Sequence, residues 1–430
     1  MAKDRRRMRR LRSALAMAAA MLAAAASAQL LPQVGGVVGQ VDQLRRDVGS
    51  VVGDITEPVV GAVAGLAQDR LSRIADLVRR HPADLEFDSR GNVAVRGELI
   101  LLDPDPKAIA AATSEGFAIV DDARLDGLDI RTVLLRVPGS MSLRTAERRL
   151  AKLAPDAVIQ SNPLYEPSGS VSRATAEAGV SGGGGRGAAI GLIDGGVAPH
   201  PTLPPVAQRG FAKGAPFASA HATAIASIMI GHGAMHGIAS GANLYAADIY
   251  GQDPRGGNAL AIARAMGWLL QSGVAVINVS LTGPDNPLLA RAVSVAAAKG
   301  VLMVAAVGND GPAAPPAFPA SYPQVIAVTG VDGKGRALIE AGRASHLDFA
   351  APGANLMAAS PGGGLAIVRG TSFAAPFVAA RLAMLPPEAR RTRAAAVAAL
   401  AGEAVRPSRG GGANLYGRGI ICATCAIASK

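Results

Sequence analysis

Three short segments, far apart along the chain, contain the residue types that activate a nucleophile. Asp194 follows an apolar strand, His221 opens an apolar helix, and Ser372 stands at a strand-to-helix turn. A carboxylate that orients an imidazole, and an imidazole that removes the proton of a serine, form the triad of a serine hydrolase. We therefore predict that Ser372 is the nucleophile, His221 the general base and then the general acid, and Asp194 the residue that orients His221.

Each of these residues has an ordinary structural explanation when it is taken alone. Asp194 precedes a glycine and is compatible with a turn, Ser372 with a helix cap, and a single histidine such as His221 with a surface position. The chain order Asp, His, Ser also differs from that of α/β hydrolases, in which Ser, Asp and His follow one another and the serine lies in Gly-x-Ser-x-Gly. The combination therefore favours catalysis and disfavours a lipase or esterase of that class.

A fourth candidate, Asn309, lies just beyond the end of an apolar strand. An amide at this place can donate a hydrogen bond to the oxyanion of a tetrahedral intermediate, and the backbone N–H of Ser372, at a helix N-terminus, can supply a second donor. The alternative is a turn residue, because Asn309 is followed by Asp310 and Gly311. We predict an oxyanion hole made by Asn309 and Ser372.

The segments around these four residues resemble those of the subtilisin-like (subtilase, S8) serine proteases. They are residues 191–196, 221–226, 304–311 and 370–376. The resemblance covers residues 95–420 and implies a serine endopeptidase that works through an acyl-enzyme and is made as a zymogen with an inhibitor-type propeptide. Two features depart from the family pattern: Ala222 stands where glycine is usual, and only 27 residues separate Asp194 from His221.

Two further segments carry the same resemblance and concern the substrate. Residues 277–284 resemble the strand that lines the substrate cleft, and residues 317–323 resemble the wall of the primary specificity pocket. An extended peptide would add to the edge of that strand through main-chain hydrogen bonds. The small pocket residues, without an acid beside them, predict broad specificity with an apolar residue at P1, the position whose carbonyl is attacked. The substrate-binding residues implied in this way are Ser280, Leu281, Thr282, Gly283, Ala317 and Ala320.

Two other functions remain as alternatives. The first is a catalytically silent relative that binds peptides or partner proteins, and the intact set of Asp, His, Asn and Ser argues against it. The second is a sedolisin-type carboxyl peptidase, which would require glutamate in place of His221. Labelling by a serine-directed probe separates the first alternative from an active enzyme.

Apolar strands alternate with helices from residue 188 onward. Near-continuous apolar runs predict strands at 188–193, 243–248, 274–280, 301–307 and 325–329, with helices at 221–230, 257–272 and 286–299 between them. Such strands are typical of a parallel sheet that is covered on both faces. We predict an α/β fold, a doubly wound and mostly parallel sheet with helices on both faces, for a peptidase domain at 188–425. Ligands bind at the carboxyl ends of such strands.

A smaller unit precedes this domain. The pattern over residues 95–165 is βαββαβ, which is typical of a ferredoxin-like α+β unit. It resembles the propeptide inhibitor module of subtilases. Residues 168–187 are predicted to be a linker, because they contain four consecutive glycines at 182–185, and a maturation cut is expected there. The module is expected to act as intramolecular chaperone and inhibitor, with its C-terminal tail in the cleft.

The N-terminal region has two parts. Residues 1–28 combine a basic head, an apolar run and Ala26-Ser27-Ala28, which predicts a secretory signal peptide and hence a secreted or periplasmic protein. An uncleaved membrane anchor is the alternative, although the run is short for a span. Residues 29–90 show helical periodicity interrupted by glycines and by Pro58. They are predicted to form a helical extension, either a spacer or a partner-binding pair of helices.

Charge is distributed unevenly along the chain. Residues 29–170 carry 16 cations and 20 acids, whereas residues 171–430 carry 20 cations and 11 acids. Opposite net charges predict attraction between the propeptide-like module and the peptidase domain. A nucleic-acid partner is not expected, because the cations are scattered and no aromatic platform accompanies them. The expected partners are protein or peptide substrates and the chain's own propeptide, with no transmembrane span after signal removal.

The two cysteines, Cys422 and Cys425, are candidates for a small-loop disulfide, with two free thiols as the alternative. A zinc site is not expected, because no cluster supplies the other ligands. His232 and His236 flank a glycine and are predicted to be loop residues rather than a metal pair. No cofactor is expected for the chemistry. Structural calcium is compatible with the family, but no ligand can be assigned.

Overall fold

The computed structural model describes residues 57–173, 188–233, 235–407 and 412–425. The predicted signal peptide, most of the predicted helical extension before Glu57, and the glycine-rich part of the predicted linker lie outside these residues. Within the described ranges, no helix is both long enough and apolar enough to cross a membrane.

Helix α1 (Glu57–Arg80) comes first, and an N-terminal module follows it. In chain order the module comprises strands β1 (Leu85–Phe87) and β2 (Val93–Leu102), helix α2 (Pro106–Ser114), strands β3 (Ala118–Leu125) and β4 (Ile130–Arg136), helix α3 (Leu143–Leu153) and strand β5 (Val158–Pro163). The five strands form one antiparallel sheet in which β2 lies between β4 and β5. Asp105 and Ser142 cap α2 and α3 with side-chain oxygens, which satisfies backbone donors at the helix starts.

The predicted helical extension to residue 90 is too long. Helix α1 ends at Arg80, just before His81-Pro82, and β1 then pairs with the start of β2. Proline disfavours continuation of a helix through the residue before it, which explains this end. The sheet of the N-terminal module therefore begins at Leu85 rather than near residue 95.

A short tail connects this module to the next domain. It comprises residues 164–173 and contains strands β6 (Glu166–Pro167) and β7 (Ser170–Arg173). The prediction of a linker from residue 168 is therefore wrong for Ser170–Arg173, because these residues pair with a strand of the next domain. Composition alone did not reveal this strand, since its partner lies about two hundred residues further along the chain.

The C-terminal domain begins with strand β8. Its first elements are β8 (Ile190–Asp194), β9 (Ala207–Gly210), α4 (Ala220–Ile230), β10 (Leu244–Asp248), α5 (Ala259–Gln271), β11 (Val276–Val279), β12 (Leu281–Thr282), α6 (Pro287–Ala298), β13 (Leu302–Ala306) and β14 (Val325–Val331). There follow β15 (Phe349–Pro352), β16 (Ala354–Ser360), β17 (Gly364–Arg369), α7 (Thr371–Met384), a 3₁₀ turn (Pro387–Arg390), α8 (Arg393–Ala401) and α9 (Ala413–Tyr416).

Seven strands form the central sheet in the order β15-β14-β13-β11-β8-β10-β9, with every pair parallel. Helices α4 and α7 pack in the apolar cluster on one face, and α5 and α6 in the cluster on the other. The predicted doubly wound α/β fold is thus confirmed. The chain moves from one side of β8 to the other between β10 and β11, so the end of β8 is a topological switch point, where such sheets place their sites.

Small side chains close the core between the sheet and the helices. Nearly every residue of α4 and α7 is buried, and alanine is the commonest among them. Helices of this kind lie close to the sheet, which fixes the positions of their first turns. These first turns carry His221 and Ser372.

Candidate active site

Ser372 lies in the first turn of α7, directly after β17. Gly370 occupies the N-cap position, and Ser372 is fully buried. Pro376, four residues later, has no N–H, so the carbonyl of Ser372 lacks the donor that an ordinary helix would provide. Ser280 supplies it: its Oγ donates to the Ser372 carbonyl at 2.8 Å. The peptide unit of Ser372 is therefore fixed from a neighbouring strand end.

His221 lies in the first turn of α4 and contacts both other members of the predicted triad. Its Nδ1 is 2.9 Å from Asp194 Oδ2, and its Nε2 is 3.0 Å from Ser372 Oγ. An ionised carboxylate only accepts hydrogen bonds, so Nδ1 carries the proton and Nε2 accepts from the serine hydroxyl. Asp194 is 1% exposed and His221 8% exposed. The structure thus brings the three residues into one nearly dry chain of hydrogen bonds.

The loop before His221 is anchored by a second buried carboxylate that the sequence did not indicate. Asp248 ends the strand beside Asp194 and accepts hydrogen bonds from the backbone N–H groups of Phe217, Tyr250 and Gly251. Next to this anchor, Ser219 caps the start of α4 through the N–H of Ala222. Ala222, where the family usually has glycine, packs within the apolar core.

Asn309 meets the start of α7. Its Oδ1 accepts the N–H of Thr371 at 2.9 Å, which fixes the orientation of the amide. Its Nδ2 is buried, and no described residue of the chain accepts a hydrogen bond from it. An ideal Cβ built on Gly370 would lie 2.7 Å from this nitrogen and 3.3 Å from the carbonyl oxygen of Ser168. A buried amide donor without an acceptor is costly, and this one is held beside the nucleophile.

The tail passes through the same place in extended form. Glu166 and Pro167 pair antiparallel with Thr282 and Leu281, and the N–H of Ser168 donates to the Ser280 carbonyl at 3.4 Å. Beyond the nucleophile, β7 pairs antiparallel with β17. The tail thus adds a strand on both sides of Ser372.

Gly169 is the tail residue that lies against Ser372, the predicted nucleophile. A Cβ at this position would be 2.5 Å from Ser372 Oγ and 2.7 Å from the ring of Phe373. Its φ of 149° is also one that L side chains rarely adopt. Only glycine therefore fits here without displacing the reacting serine.

Tyr165 anchors the tail. Its side chain is 1% exposed, its hydroxyl donates to the Pro284 carbonyl at 2.7 Å, and its ring lies over Gly283. Tyr250 donates its own hydroxyl to the Tyr165 carbonyl. Burial raises the pKa of both tyrosines, so both remain neutral donors. A lone tyrosine just after the last strand of the module, in a chain with only 3% aromatic residues, was the available sequence signal.

The residues predicted to bind substrate occupy different environments. Thr282 and Gly283 lie along the tail, whereas the side chain of Leu281 is buried in the core and only its backbone faces Pro167. The side chain of Ser280 faces Ser372 rather than a substrate. Ala320 is fully buried in the core, and Ala317 is partly buried, next to the Gly283–Phe318 bridge.

The cysteine and histidine candidates for a disulfide or a metal site lie away from the cleft. Cys422 and Cys425 form a disulfide and pack against the core. His232 and His236 are exposed loop residues. Within the described residues, no group of three or more His, Cys, Asp or Glu side chains is arranged to hold a metal ion.

A doubly wound parallel sheet that brings Asp194, His221 and Ser372, in this chain order, into one chain of hydrogen bonds is typical of serine proteases rather than of α/β hydrolases. The sequence matches the Subtilase family (peptidase S8) over residues 185–419, just over half of the chain. The chain therefore belongs to the subtilase family of serine-type endopeptidases.

Individual relatives show the same relationship. Subtilisin BL of Lederbergia lenta is 33% identical over 208 residues, which is 47% of this chain and 77% of the relative. The alkaline protease of Alkalihalobacillus alcalophilus is 32% identical over 208 residues, 54% of its length. Fervidolysin from Fervidobacterium pennivorans superposes with a TM-score of 0.64 at 18% identity, covering 78% of this chain and 61% of fervidolysin. This last likeness concerns the fold.

Proposed function

We propose that the chain is the zymogen of an exported endopeptidase whose catalytic residues are Asp194, His221 and Ser372. The observation that carries this proposal is the unbroken contact from Asp194 through His221 to Ser372 Oγ, 2.9 Å and 3.0 Å long. Distances in this range allow proton transfer from the serine to the imidazole. A catalytically silent relative would have no need of so complete a chain.

The chemistry follows from these contacts. Ser372 Oγ attacks the carbonyl carbon of the substrate and its proton moves to His221 Nε2. When the tetrahedral intermediate collapses, His221 gives that proton to the leaving amine and an ester with Ser372 remains, which water then hydrolyses in the same way. Asp194 stabilises the imidazolium formed in each step. The amide of Asn309 and the N–H of Ser372 are the proposed donors to the oxyanion.

The tail supports self-cleavage between Ser168 and Gly169. Glu166 and Pro167 pair with the strand beside the proposed nucleophile, Ser168 donates to Ser280, and a Cβ built on Gly169 would lie 2.5 Å from Ser372 Oγ. The residue that pairs through its N–H with Ser280 and precedes Gly169 is Ser168, which we assign to P1. The cut then leaves Ser168 as the new C-terminus of the module and Gly169 as the new N-terminus of the peptidase.

The contacts of the N-terminal module support its role as chaperone and inhibitor. Two amide side chains of β5 cap helices of the other domain: Gln160 accepts the N–H of Leu288, and Asn162 accepts the N–H of Leu260. Helix starts have free N–H groups, so the module completes α5 and α6. Apolar residues of the module sheet, among them Ile100, Ile130 and Leu134, belong to the same core cluster as α5 and α6.

The predicted attraction between opposite net charges has a small share in this docking. One ion pair, Arg264 with Asp121, joins β3 to α5, and both side chains are about two-fifths exposed. Such pairs contribute up to about 1 kcal/mol. The helix caps and the apolar contacts therefore carry the docking.

For substrates we propose broad specificity with an apolar P1 residue, because residues 317–323 resemble the wall of a specificity pocket made of small residues without an acid. The tail itself presents Ser168 at P1, so small residues are also accepted. Its Tyr165 adds an aromatic side chain at P4, three residues before P1. A peptide panel varied at one position at a time tests each preference, and a strong preference for arginine at P1 would contradict it.

Export is proposed from the signal-like residues 1–28, and two observations support it. A disulfide joins Cys422 and Cys425, which fits an oxidising compartment, and the 32% identical relative from Bacillus subtilis (strain 168) is described as a minor extracellular protease. We further propose that the chemistry needs no cofactor, because the triad and the oxyanion donors together account for every proton and charge of the reaction. Calcium remains unassigned, and activity after chelation with EDTA tests its contribution.

The experiment that tests the proposed activity compares wild type with Ser372→Ala on casein, together with labelling by a fluorophosphonate probe. We expect the matured wild type to cleave casein and to take up the probe, and Ser372→Ala to do neither. A matured wild type that lacks the module but takes up no probe would support the silent relative instead.

A further inference from the structure

Helix α1 precedes the inhibitory module and reaches the rim of the cleft. Arg70 and Arg73 are one turn apart and therefore lie on one face of the helix. Arg70 Nε is 3.1 Å from Asp310 Oδ2, and Arg73 Nη2 is 2.6 Å from Asp310 Oδ1. Asp310 directly follows Asn309. Helix α1 thus forms two ion pairs with Asp310, the residue next to the proposed oxyanion donor Asn309.

The same arginine also contacts the tail. Arg73 Nε is 3.3 Å from Glu166 Oε2, two residues before Ser168. Arg73 therefore lies between two acids, one on the tail and one on the rim. Without it, Glu166 and Asp310 would repel each other across the cleft.

The position of these contacts relative to the proposed cut gives them a function. Arg70, Arg73 and Glu166 all belong to the fragment that ends at Ser168, and Asp310 belongs to the peptidase. The pair Arg73–Glu166 therefore holds the tail within the fragment, and the two pairs to Asp310 hold the fragment on the enzyme after the bond is broken.

We propose that helix α1 is a second inhibitory element, in which Arg70 and Arg73 latch the cleaved module onto Asp310 and delay the appearance of activity. The inference rests on the proposed function. It gives the helical extension a role that the fold of the module does not require, because neither arginine contributes to the core of that module.

The latch is built from charges that water still reaches. The side chains of Arg70, Arg73, Glu166 and Asp310 are 29%, 47%, 36% and 28% exposed. Ion pairs at this exposure are individually weak and are screened by salt, since the Debye length falls from about 14 Å to about 4 Å between 0.05 M and 0.5 M salt. Salt should therefore release the latch while the buried helix caps persist.

The test follows the full chain after dilution from urea. Cleavage at Ser168–Gly169 is monitored by intact mass, and the lag before peptidase activity by a fluorogenic peptide. In 0.05 M NaCl, Arg70→Gln/Arg73→Gln should shorten the lag about three- to tenfold and leave the rate of cleavage within about twofold. In 0.5 M NaCl the lags of wild type and variant should coincide.

A matched control lies on the same helix. Arg79 and Arg80 are exposed arginines whose side chains bond within α1, to Asp76. The double variant Arg79→Gln/Arg80→Gln removes the same charge and should keep the lag of wild type. Asp310→Asn should shorten the lag like the Arg70/Arg73 variant, with its own peptidase rate measured after maturation for comparison.

The outcomes distinguish a failure of the latch proposal from a failure of the proposed self-cleavage. If wild type is never cut at Ser168–Gly169, the proposed self-cleavage is wrong and the latch is wrong with it. If the cut occurs but both arginine pairs give the same lag, the latch alone is wrong. If the Arg70/Arg73 variant does not fold, the lag of wild type is compared between 0.05 M and 0.5 M NaCl. A shorter lag at high salt supports the latch, and an unchanged lag contradicts it.

Discussion

Two sets of contacts meet at the cleft, and they differ in burial. The proposed catalytic side chains, those of Asp194, His221 and Ser372, are at most 8% exposed and are fixed by strand ends and helix starts. The outer contacts of helix α1 with Asp310 and Glu166 are ion pairs of partly exposed side chains. The first arrangement keeps the reacting groups aligned before substrate arrives. The outer ion pairs can be broken more easily, and the proposed inhibitory module must dissociate before the cleft can accept a substrate.

In the proposed zymogen, the alignment of the reacting groups and the inhibition of the cleft can therefore be changed separately. Changes to the buried set should alter the rate of bond cleavage, whereas changes to the outer set should alter the release of the module. The predictions below run from the largest expected effect to the smallest: three test the buried set and the groups that touch it, and the last tests a remote ion pair.

Asn309→Ala should slow the first-order self-cleavage of the refolding chain by about 10²–10³-fold, the loss known for an oxyanion donor of subtilisin. The Nδ2 donor is removed, while the triad keeps its contacts. Intact mass against time measures the rate. Asn414→Ala, at an exposed position in α9, is the control, and a rate for Asn309→Ala equal to that of the control would exclude Asn309 from the oxyanion hole.

Gly169→Ala should slow the same reaction by about 10²-fold. The added methyl must displace Ser372 Oγ or Phe373, and displacements of about 1 Å cost rates of this order. Gly139→Ala serves as control, because a Cβ there meets nothing within 4 Å. Unchanged cleavage of Gly169→Ala would show that the cut does not take place at this residue.

Ser280→Ala should lower the free energy of unfolding by about 1–3 kcal/mol, because the buried carbonyl of Ser372 loses its donor. Pro376→Ala restores an N–H at the position where the helix would supply it. In the Ser372→Ala background, which prevents cleavage, the loss caused by Ser280→Ala should therefore shrink by at least about 1 kcal/mol when Pro376→Ala is present. Additive effects in denaturant titrations would contradict this account of Ser280.

The smallest effect concerns pH and a remote cluster. The Asp348 carboxylate raises the pKa of His346 above its ordinary value near 6.5. The folded state then favours the protonated ring, so this stabilisation is full below about pH 6.5 and is lost as pH rises through the higher folded pKa. Thermal unfolding between pH 5 and 9 should show a difference of under about 1 kcal/mol between wild type and His346→Gln, present at low pH only. A constant difference would contradict it.

The fold and the meeting of the proposed catalytic groups could be predicted from the sequence because both depend on local patterns. Apolar strands between helices define the parallel sheet. Asp194, His221, Asn309 and Ser372 stand at strand ends or helix starts, and such positions come together at the carboxyl edge of a parallel sheet. Strand β1 was missed because three residues are too few to show an alternating pattern. Residues 85–87 form a strand because they pair with β2, and this partner cannot be read from the short segment itself.

The residues that sequence analysis missed all act through distant partners. Tyr165 and Gly169 are ordinary until the tail enters the cleft, and Asp248 is one acid among many until three N–H groups surround it. The sequence does not indicate the partner of Arg70 and Arg73, because Asp310 lies 240 residues beyond Arg70 along the chain. Ser280 was assigned to substrate, because the link between a proline in one helix and a serine on one strand end is visible only in three dimensions.

The central claim is that Ser372 is aligned to cut the bond between Ser168 and Gly169 in its own chain. The most direct measurement is the mass of the first fragments formed when the full chain refolds, for wild type and for Ser372→Ala. The account predicts a first cut that creates an N-terminus at Gly169 in wild type and no cut in Ser372→Ala. A first cut elsewhere in wild type, or the same cut in the variant, would contradict it.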